Sequence, residues 1–373
     1  MNHNLRYSLI ISVIIVSAAP VLITSCKKSA AGSPTAATTI AYKGTSTPGD
    51  VYGWTLNTSA HTFSAVWDHG TTDPSDDVTF SGPYTTLASG FLQMTISAVS
   101  PASSLFPTDG SAYFYALEVP GVVLFIDPEG SIASRHTITA VHAGETTGFA
   151  GNYNYAATSM PAGINPETSE AFGNISFTAA GPSSYTVGGN KYSFDYFPSG
   201  VATVNSPITI GTATVDASGT MHDPTGTVTL QATAAGALIV DGGEGNGGAF
   251  AGKQDSVAFA DLAAKTFSCI GFSNSGSAAI RYKLTFGSPG NSASIAQITD
   301  VTSGAVSPTT FFSMTFNNIN KAAFWGSIVS PGVVQYIYGF VIKYNGKYII
   351  TMESVFPAAT PLPTVSFLIG TQD

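Results

Sequence analysis

The residues best suited to bind a metal ion are a histidine and the carboxylates around it. His69 follows Asp68, and Asp73, Asp76 and Asp77 come shortly after it. Carboxylate oxygens together with one imidazole nitrogen could hold a divalent cation. The same stretch contains glycine and proline, however, which is typical of a solvated surface turn. We therefore predict no metal and no cofactor at these residues.

Two further loops come close to known chemical motifs and fall short of them. The glycine-rich loop that begins at Asp241 supplies oxygens, but Gly252 stands where a calcium loop of the EF-hand type needs its closing glutamate. The run from Gly271 to Gly276 nearly forms a nucleophile elbow, but Ser275 replaces the required second glycine. The motifs thus nominate no catalytic residue, and we predict that the chain is not an enzyme.

Aromatic side chains are the remaining candidates for ligand binding. Tyr336, Tyr338 and Phe340 alternate along one β run, so that they share a face, while Ile337 and Val341 lie on the other. Such stripes usually belong to a protein core, and the alternative is a groove for a sugar or a peptide. We take these three aromatic residues as the candidate ligand-binding residues.

The first 26 residues indicate export. A short polar start is followed by an apolar run from Leu9 to Leu22 and then by Ile23-Thr24-Ser25-Cys26. This layout is typical of a secretory signal peptide. A membrane-spanning anchor is the alternative, but fourteen apolar residues cover about 21 Å as a helix, short of the ~30 Å hydrocarbon core.

With a cysteine directly after small residues, the segment resembles the lipobox of bacterial lipoproteins. That resemblance implies removal of residues 1–25, attachment of diacylglycerol to the Cys26 thiol, and acylation of its amino group with a chain such as palmitate. Lys27 follows the cysteine. In lipoproteins of enteric bacteria a residue other than aspartate there implies sorting to the outer membrane. The resemblance therefore implies a lipid anchor in the cell envelope, with the outer membrane as its location.

Composition argues against one class of partner and favours β-strands. Charged residues are 9% of the chain and the net charge is −9, which argues against nucleic acid as a partner. Aromatic residues are 11%, enough for a real core. The chain has two cysteines, so acylation of Cys26 would leave Cys269 without a disulfide partner. In the run around it, Cys269 shares a face with Phe267, and we expect a buried thiol.

Short β-rich runs with Gly, Pro and Asp turn signals predict an all-β fold of antiparallel meander barrels or sandwiches. We expect a flexible, lipidated tether over 26–50, a first β module over 51–160 and a second over 170–373. One short helix is predicted near 256–265, and Asn345-Gly346 predicts a type I′ hairpin turn. The body loosely resembles lipocalin-like barrels.

These features predict a lipid-anchored envelope protein that acts as a binding or structural module. Its partners would be the membrane, through the lipid anchor, and a glycan or a protein as ligand. The alternative is a lipoprotein enzyme that acts on polysaccharide. Two carboxylates facing each other across a cleft would favour the enzyme, and an aromatic groove poor in carboxylates would favour binding.

Overall fold

A computed structural model gives the fold of this chain. It describes residues 39–46, 49–68, 73–132, 137–145, 149–157, 172–192, 204–243, 247–273, 280–287, 293–300, 306–316, 322–330, 333–356 and 364–373. Residues 1–25, predicted to be a signal peptide, and Cys26, the candidate lipidation site, lie outside these ranges. The described residues form 25 strands and one short helix, which confirms the all-β prediction.

The first sheet contains nine antiparallel strands in the order β3-β2-β1-β9-β8-β7-β5-β4-β6. Strand β3 also pairs with β4, and this pairing closes a ring of eight strands, so we call this sheet the first barrel. Buried and more exposed residues alternate along Val51–Asn57 and Thr62–Asp68, whereas most of Val123–Gly130 and Ile138–His142 is buried on both faces. Its strands are Thr39–Ser46 (β1), Val51–Asn57 (β2), Thr62–Asp68 (β3), Val78–Thr86 (β4), Leu92–Thr95 (β5), Ala98–Ser100 (β6), Ala112–Val119 (β7), Val123–Gly130 (β8) and Ile138–His142 (β9).

The second and third barrels are closed meanders of eight strands each. The second barrel comprises Gly151–Ala157 (β10), Phe172–Gly181 (β11), Ser184–Tyr192 (β12), Val204–Val215 (β13), Thr220–His222 (β14), Thr229–Ala232 (β15), Ala237–Asp241 (β16) and Gly248–Lys253 (β17). The third comprises Thr266–Ser273 (β18), Ile280–Phe286 (β19), Ala293–Asp300 (β20), Val306–Phe316 (β21), Ala323–Ser330 (β22), Val333–Tyr344 (β23), Lys347–Phe356 (β24) and Thr364–Gln372 (β25). The helix α1, Phe259–Leu262, connects these two barrels.

The module boundaries differ from the expected ones. Strand β1 begins at Thr39, within the stretch expected to be a tether, because alternate residues of that strand are buried in the first barrel. The stretch near 160–170, expected to separate two modules, instead joins β10 to β11 of one barrel, and residues 158–171 lie outside the described ranges. A long polar hairpin loop has the same composition as a linker, so composition alone could not separate them. The expected second module contains most of two barrels.

Described apolar side chains pack together in the interior of each barrel. In the first barrel, Trp54 lies at ring-centroid distances of 5.8 Å from Phe63, 5.4 Å from Phe80 and 5.5 Å from Phe114. Comparable apolar clusters occupy the second barrel, around Tyr153, and the third. An eight-stranded barrel is just wide enough either to be filled by side chains or to hold one small ligand. The described interiors are of the filled kind.

Cys269 lies in the interior of the third barrel and is fully buried, on the same face as Phe267, as expected. Burial raises the pKa of its thiol well above the ordinary value. We therefore expect alkylating reagents to modify Cys269 slowly in the native protein and rapidly after denaturation, measured by mass spectrometry of the peptide that contains it. Native labelling as fast as that of a free thiol would contradict the orientation of β18.

Candidate functional site

The outward faces of the three barrels meet in one shared apolar cluster, which we call the junction. Phe250 of the second barrel is fully buried at its centre. Its ring lies 5.4 Å from that of Phe125 in the first barrel and 6.0 Å from that of Phe340 in the third. Gly252 allows the close approach, because a Cβ there would lie 2.5 Å from Ile342. The junction is therefore the place where all three barrels touch.

The predicted aromatic stripe lies in this junction. Tyr338 and Phe340 are both fully buried and project from the outer face of β23, while Ile337 and Val341 project into the third barrel. The Tyr338 ring stacks on Phe172 of the second barrel at 4.3 Å, and its hydroxyl donates to the carbonyl of Gly173 at 3.2 Å. A ligand could reach these two side chains only if the barrels separated.

Tyr336, the third residue of the stripe, is described through its backbone. It pairs with Ser327 on β22 and with Val355 on β24. The predicted sharing of a face thus holds for Tyr338 and Phe340, and that face is an inter-barrel contact rather than an open groove.

A cluster of charged side chains lies between the first and third barrels. Arg281 on β19 forms a salt bridge with Glu129 on β8, and its Nη1 atom lies 3.8 Å from Oδ2 of Asp127. The guanidinium also covers the ring of Tyr115, with its central carbon 3.9 Å from the ring centroid. Because Asp127 and Glu129 are two residues apart on one strand, both face the same arginine. We call this group the charged cluster.

The environment of Asp127 is unusual for a carboxylate. Only 5% of the residue is exposed, and in the described part of the chain its Oδ2 atom has no hydrogen-bond donor. Burial raises its pKa to about 8, and the charge of Glu129 adds to this, while Arg281 acts in the opposite direction. Asp127 is therefore largely protonated at neutral pH.

A second buried acid lies in the junction itself. Glu353 on β24 is fully buried, and neither of its carboxyl oxygens has a hydrogen-bond partner within the described structure. Its register neighbours Tyr338 and Phe367 both belong to the junction. The hydroxyl of Thr351, on the same face, is likewise buried without a partner in the described ranges. Burial raises the pKa of Glu353 well above its ordinary value, because it disfavours the charged form of the carboxyl.

The contact between the first and second barrels is also polar. Lys43 Nζ on β1 donates to the hydroxyl of Thr220 at 3.2 Å, and that hydroxyl donates to Gln231 Oε1 at 3.3 Å. Thr220 and Gln231 are both 2% exposed. Asp241 lies in the same contact, and burial raises its pKa to about 6, against the lowering effects of Gly243 and Lys43. This network ties the two barrels together.

One group carries the three residue types of a serine hydrolase but not their arrangement. Asp216 accepts a hydrogen bond from the Ser218 hydroxyl at 2.7 Å, and its other oxygen lies 2.9 Å from His222 Nε2. In a catalytic triad the serine donates to the histidine, and the aspartate binds the far side of that ring. Here both residues bind the aspartate and hold the β13–β14 turn. Their hydrogen bonds outweigh burial and lower the pKa of Asp216.

A tyrosine and a glutamate are hydrogen-bonded inside the first barrel, near one end. The Tyr42 hydroxyl donates to Glu118 Oε1 at 2.5 Å and accepts from the Gly121 amide at 3.1 Å. Burial raises the pKa of both side chains. We regard this pair as structural, because each side chain satisfies a polar group of the other in the interior of the barrel, between β1 and β7.

Several of the other predicted positions lie outside the described part of the chain. His69 and the loop residues 244–246 and 274–279 lie outside the described ranges, while Asp73 accepts a hydrogen bond from the amide of its neighbour Ser75 at 2.9 Å. Among the described residues no group of three or more His, Cys, Asp or Glu side chains could hold a metal ion. No helix in the described ranges is long and apolar enough to cross a membrane.

Sequence reasoning missed the charged cluster and Glu353. Asp127 and Glu129 occur in Asp127-Pro128-Glu129-Gly130, whose composition indicates a turn, yet residues 127–130 complete β8. A signal was nevertheless present: in a chain with 9% charged residues, an acid or an arginine within an apolar β run is rare. Glu353 and Arg281 both have that setting.

No protein-family model matches the chain, and no curated protein is significantly similar to it. Among solved structures, the chain is similar to a mutant of transferrin binding protein B from Haemophilus parasuis, with 6% identity, 87% of this chain and 65% of that chain covered, and a TM-score of 0.19. It is also similar to intact Ap-TbpB, described with its N and C lobes, with 7% identity, 87% of this chain and 66% of that chain covered, and a TM-score of 0.17.

A protein of unknown function from the DUF3598 family of Nostoc punctiforme shows 8% identity over 90% of this chain and 94% of that chain, with a TM-score of 0.16. This chain thus spans just under two thirds of the length of the two transferrin binding protein B chains. TM-scores of this size do not define a common fold, so the account of this protein rests on its own sequence and contacts.

Proposed function

We propose that this chain is a lipid-anchored protein of the cell envelope, attached through Cys26, that acts as a binding or structural module. The observation that carries the proposal is that the described barrels are filled and their buried charged groups are used in contacts between barrels. Such a body presents outer strand faces and loops to a partner. A glycan or a protein fits these surfaces better than a small molecule enclosed within a barrel.

The arrangement of the acids also favours binding over the polysaccharide-cleaving alternative. Glycoside cleavage uses two carboxyl groups that face each other across a sugar. Asp127 and Glu129 are close together, but Arg281 bridges them and the third barrel covers them. They are therefore placed to join barrels. We propose the outer membrane as the location, from Lys27 after the cysteine, with the membrane as a partner through the lipid.

The anchor is tested with the two cysteines as a matched pair. We expect Cys26→Ser to leave the membrane fraction or to keep its signal peptide, because the acyl chains would contribute about 0.8 kcal/mol for each buried CH₂ group. Cys269→Ala, which alters only a buried thiol, should fractionate as the wild type. Membrane fractionation and intact mass are measured. A Cys26→Ser protein with normal processing and normal membrane partition would overturn the proposal.

The module is tested by incubating the detergent-solubilised chain with purified envelope polysaccharides. Release of reducing ends and retention of the glycans on the immobilised protein are both measured. We expect the native protein to release no more reducing ends than a heat-denatured sample of it does. Release that disappears in Asp127→Asn or in Glu129→Gln would establish the enzyme instead.

A further inference from the structure

We propose that the contact between the third barrel and the other two is a proton-dependent joint, closed while Asp127 and Glu353 are protonated and opened when they ionise. The two acids lie on different sides of the third barrel. Asp127 belongs to the first barrel and faces Arg281, and Glu353 belongs to the third and faces the junction. Together they control both contacts that hold the third barrel.

No counter-charge lies against Glu353 in the described part of the chain, although the unpartnered hydroxyl of Thr351 lies on the same face. The carboxyl oxygens of Glu353 have no hydrogen-bond partner in the described structure, and its strand neighbours are Tyr338 and Phe367. Strand β10 of the second barrel lies against β24, and its sequence contains no charged residue. An ionised carboxylate without a counter-charge is costly in an apolar contact, and separation of the barrels would allow water to reach it.

The geometry at Asp127 gives the joint its second proton-sensitive contact. The groups that face Asp127 are Glu129 on its own strand, Arg281 on β19, and Tyr115 and Tyr113 on β7. Arg281 is closer to Glu129 than to Asp127, so one positive charge would serve two carboxylates once Asp127 ionises. The cost of burying the new charge exceeds its attraction to Arg281, and separation of the first and third barrels would let water reach the carboxylate.

The direction of the pH response follows from the raised pKa. A carboxyl group that binds its proton more tightly in the closed state stabilises that state at low pH, and this stabilisation is lost as the pH rises through the raised value. For Asp127 that value is about 8. At pH 9.5 its ionised form would outnumber the neutral form by about 30 to 1, whereas at pH 6 the neutral form dominates.

Opening would change what the protein presents to a partner. Tyr338 and Phe340 on the third barrel, and Phe172 and Phe250 on the second, would pass from full burial to solvent. An exposed apolar face of this kind is typical of an interaction surface. The joint would therefore hide an aromatic surface at neutral and acidic pH and expose it at alkaline pH.

The test measures the distance between the first and third barrels in the full chain in detergent. Spin labels are placed at Ser64→Cys on β3 and Lys347→Cys on β24, both exposed, while buried Cys269 resists labelling. Double electron–electron resonance should give one narrow distance distribution at pH 6 and a longer, broader one at pH 9.5. An unchanged wild-type distribution between these two pH values would overturn the proposal.

Variants separate the joint from other titrations. Asp127→Asn combined with Glu353→Gln, or with Glu353→Leu if the glutamine variant folds poorly, should keep the narrow distribution at pH 9.5. Glu118→Gln removes another carboxyl whose pKa is raised by burial, inside the first barrel and away from the joint, and should respond as the wild type. A double variant that opens as the wild type does, or a Glu118→Gln variant that no longer opens, would contradict the assignment.

Discussion

Replacement of Arg281 by alanine is expected to lower the free energy of unfolding by about 3–5 kcal/mol at pH 7, where the joint is closed, because it leaves the acids of the charged cluster without their counter-charge. The side chain of Arg281 is 10% exposed and that of its partner Glu129 is 19% exposed, so water screens this pair poorly. The loss should be smaller at pH 9.5, where the joint is open and Arg281 no longer lies against Asp127 and Glu129. Chemical denaturation monitored by fluorescence at several pH values measures it.

Lys283 provides the matched control for this prediction. It lies two residues further along β19 and pairs with Asp373 at 2.9 Å, but both side chains are about one third exposed. Exposed pairs contribute little, so Lys283→Ala should cost less than about 1 kcal/mol. If the two alanine variants lost equal stability, or if Arg281→Ala showed no dependence on pH, the charged cluster would not join the barrels in the way that we describe.

Replacement of Phe250 by alanine is the second change with a large expected effect. Its ring is fully buried and touches an aromatic ring from each of the other two barrels. Truncation of a buried phenylalanine costs about 3–5 kcal/mol. Because the lost contacts lie between barrels, we also expect calorimetry to resolve more than one unfolding transition in this variant.

Phe177 is the control for Phe250. It lies in the interior of the second barrel, where it contacts Tyr153 and Phe149, and it has no place in the junction. Phe177→Ala also removes a phenyl ring, so it should lower the free energy of unfolding by a similar amount. The number of transitions should stay as in the wild type. If Phe177→Ala unfolded in several transitions and Phe250→Ala in a single one, the barrels would be coupled elsewhere than at Phe250.

Local patterning was enough to predict much of the fold. The alternation in Thr62–Asp68 gives a strand whose apolar side chains are buried and whose polar ones are exposed. Asn345-Gly346 forms the expected hairpin turn, with φ values of 48° and 78° and pairing of Tyr344 with Lys347. Cys269 faces Phe267 as the alternation predicts. These features depend on residues only a few positions apart.

The arrangement of the barrels could not be predicted in the same way. Arg281 and Glu129 are separated by 152 positions, and no local pattern specifies that they meet. The aromatic stripe was placed on the correct face, but whether that face meets solvent or another barrel depends on long-range packing.

Calorimetry of the wild-type chain tests the central claim, that three filled barrels share one junction. The detergent-solubilised full chain is heated at pH 6, where Asp127, with its pKa of about 8, is protonated and the joint is closed. The shared junction predicts one cooperative transition whose calorimetric and van't Hoff enthalpies agree. Three separate transitions at that pH, unchanged in Phe250→Ala, would show instead that the barrels unfold independently and that the junction does not join them.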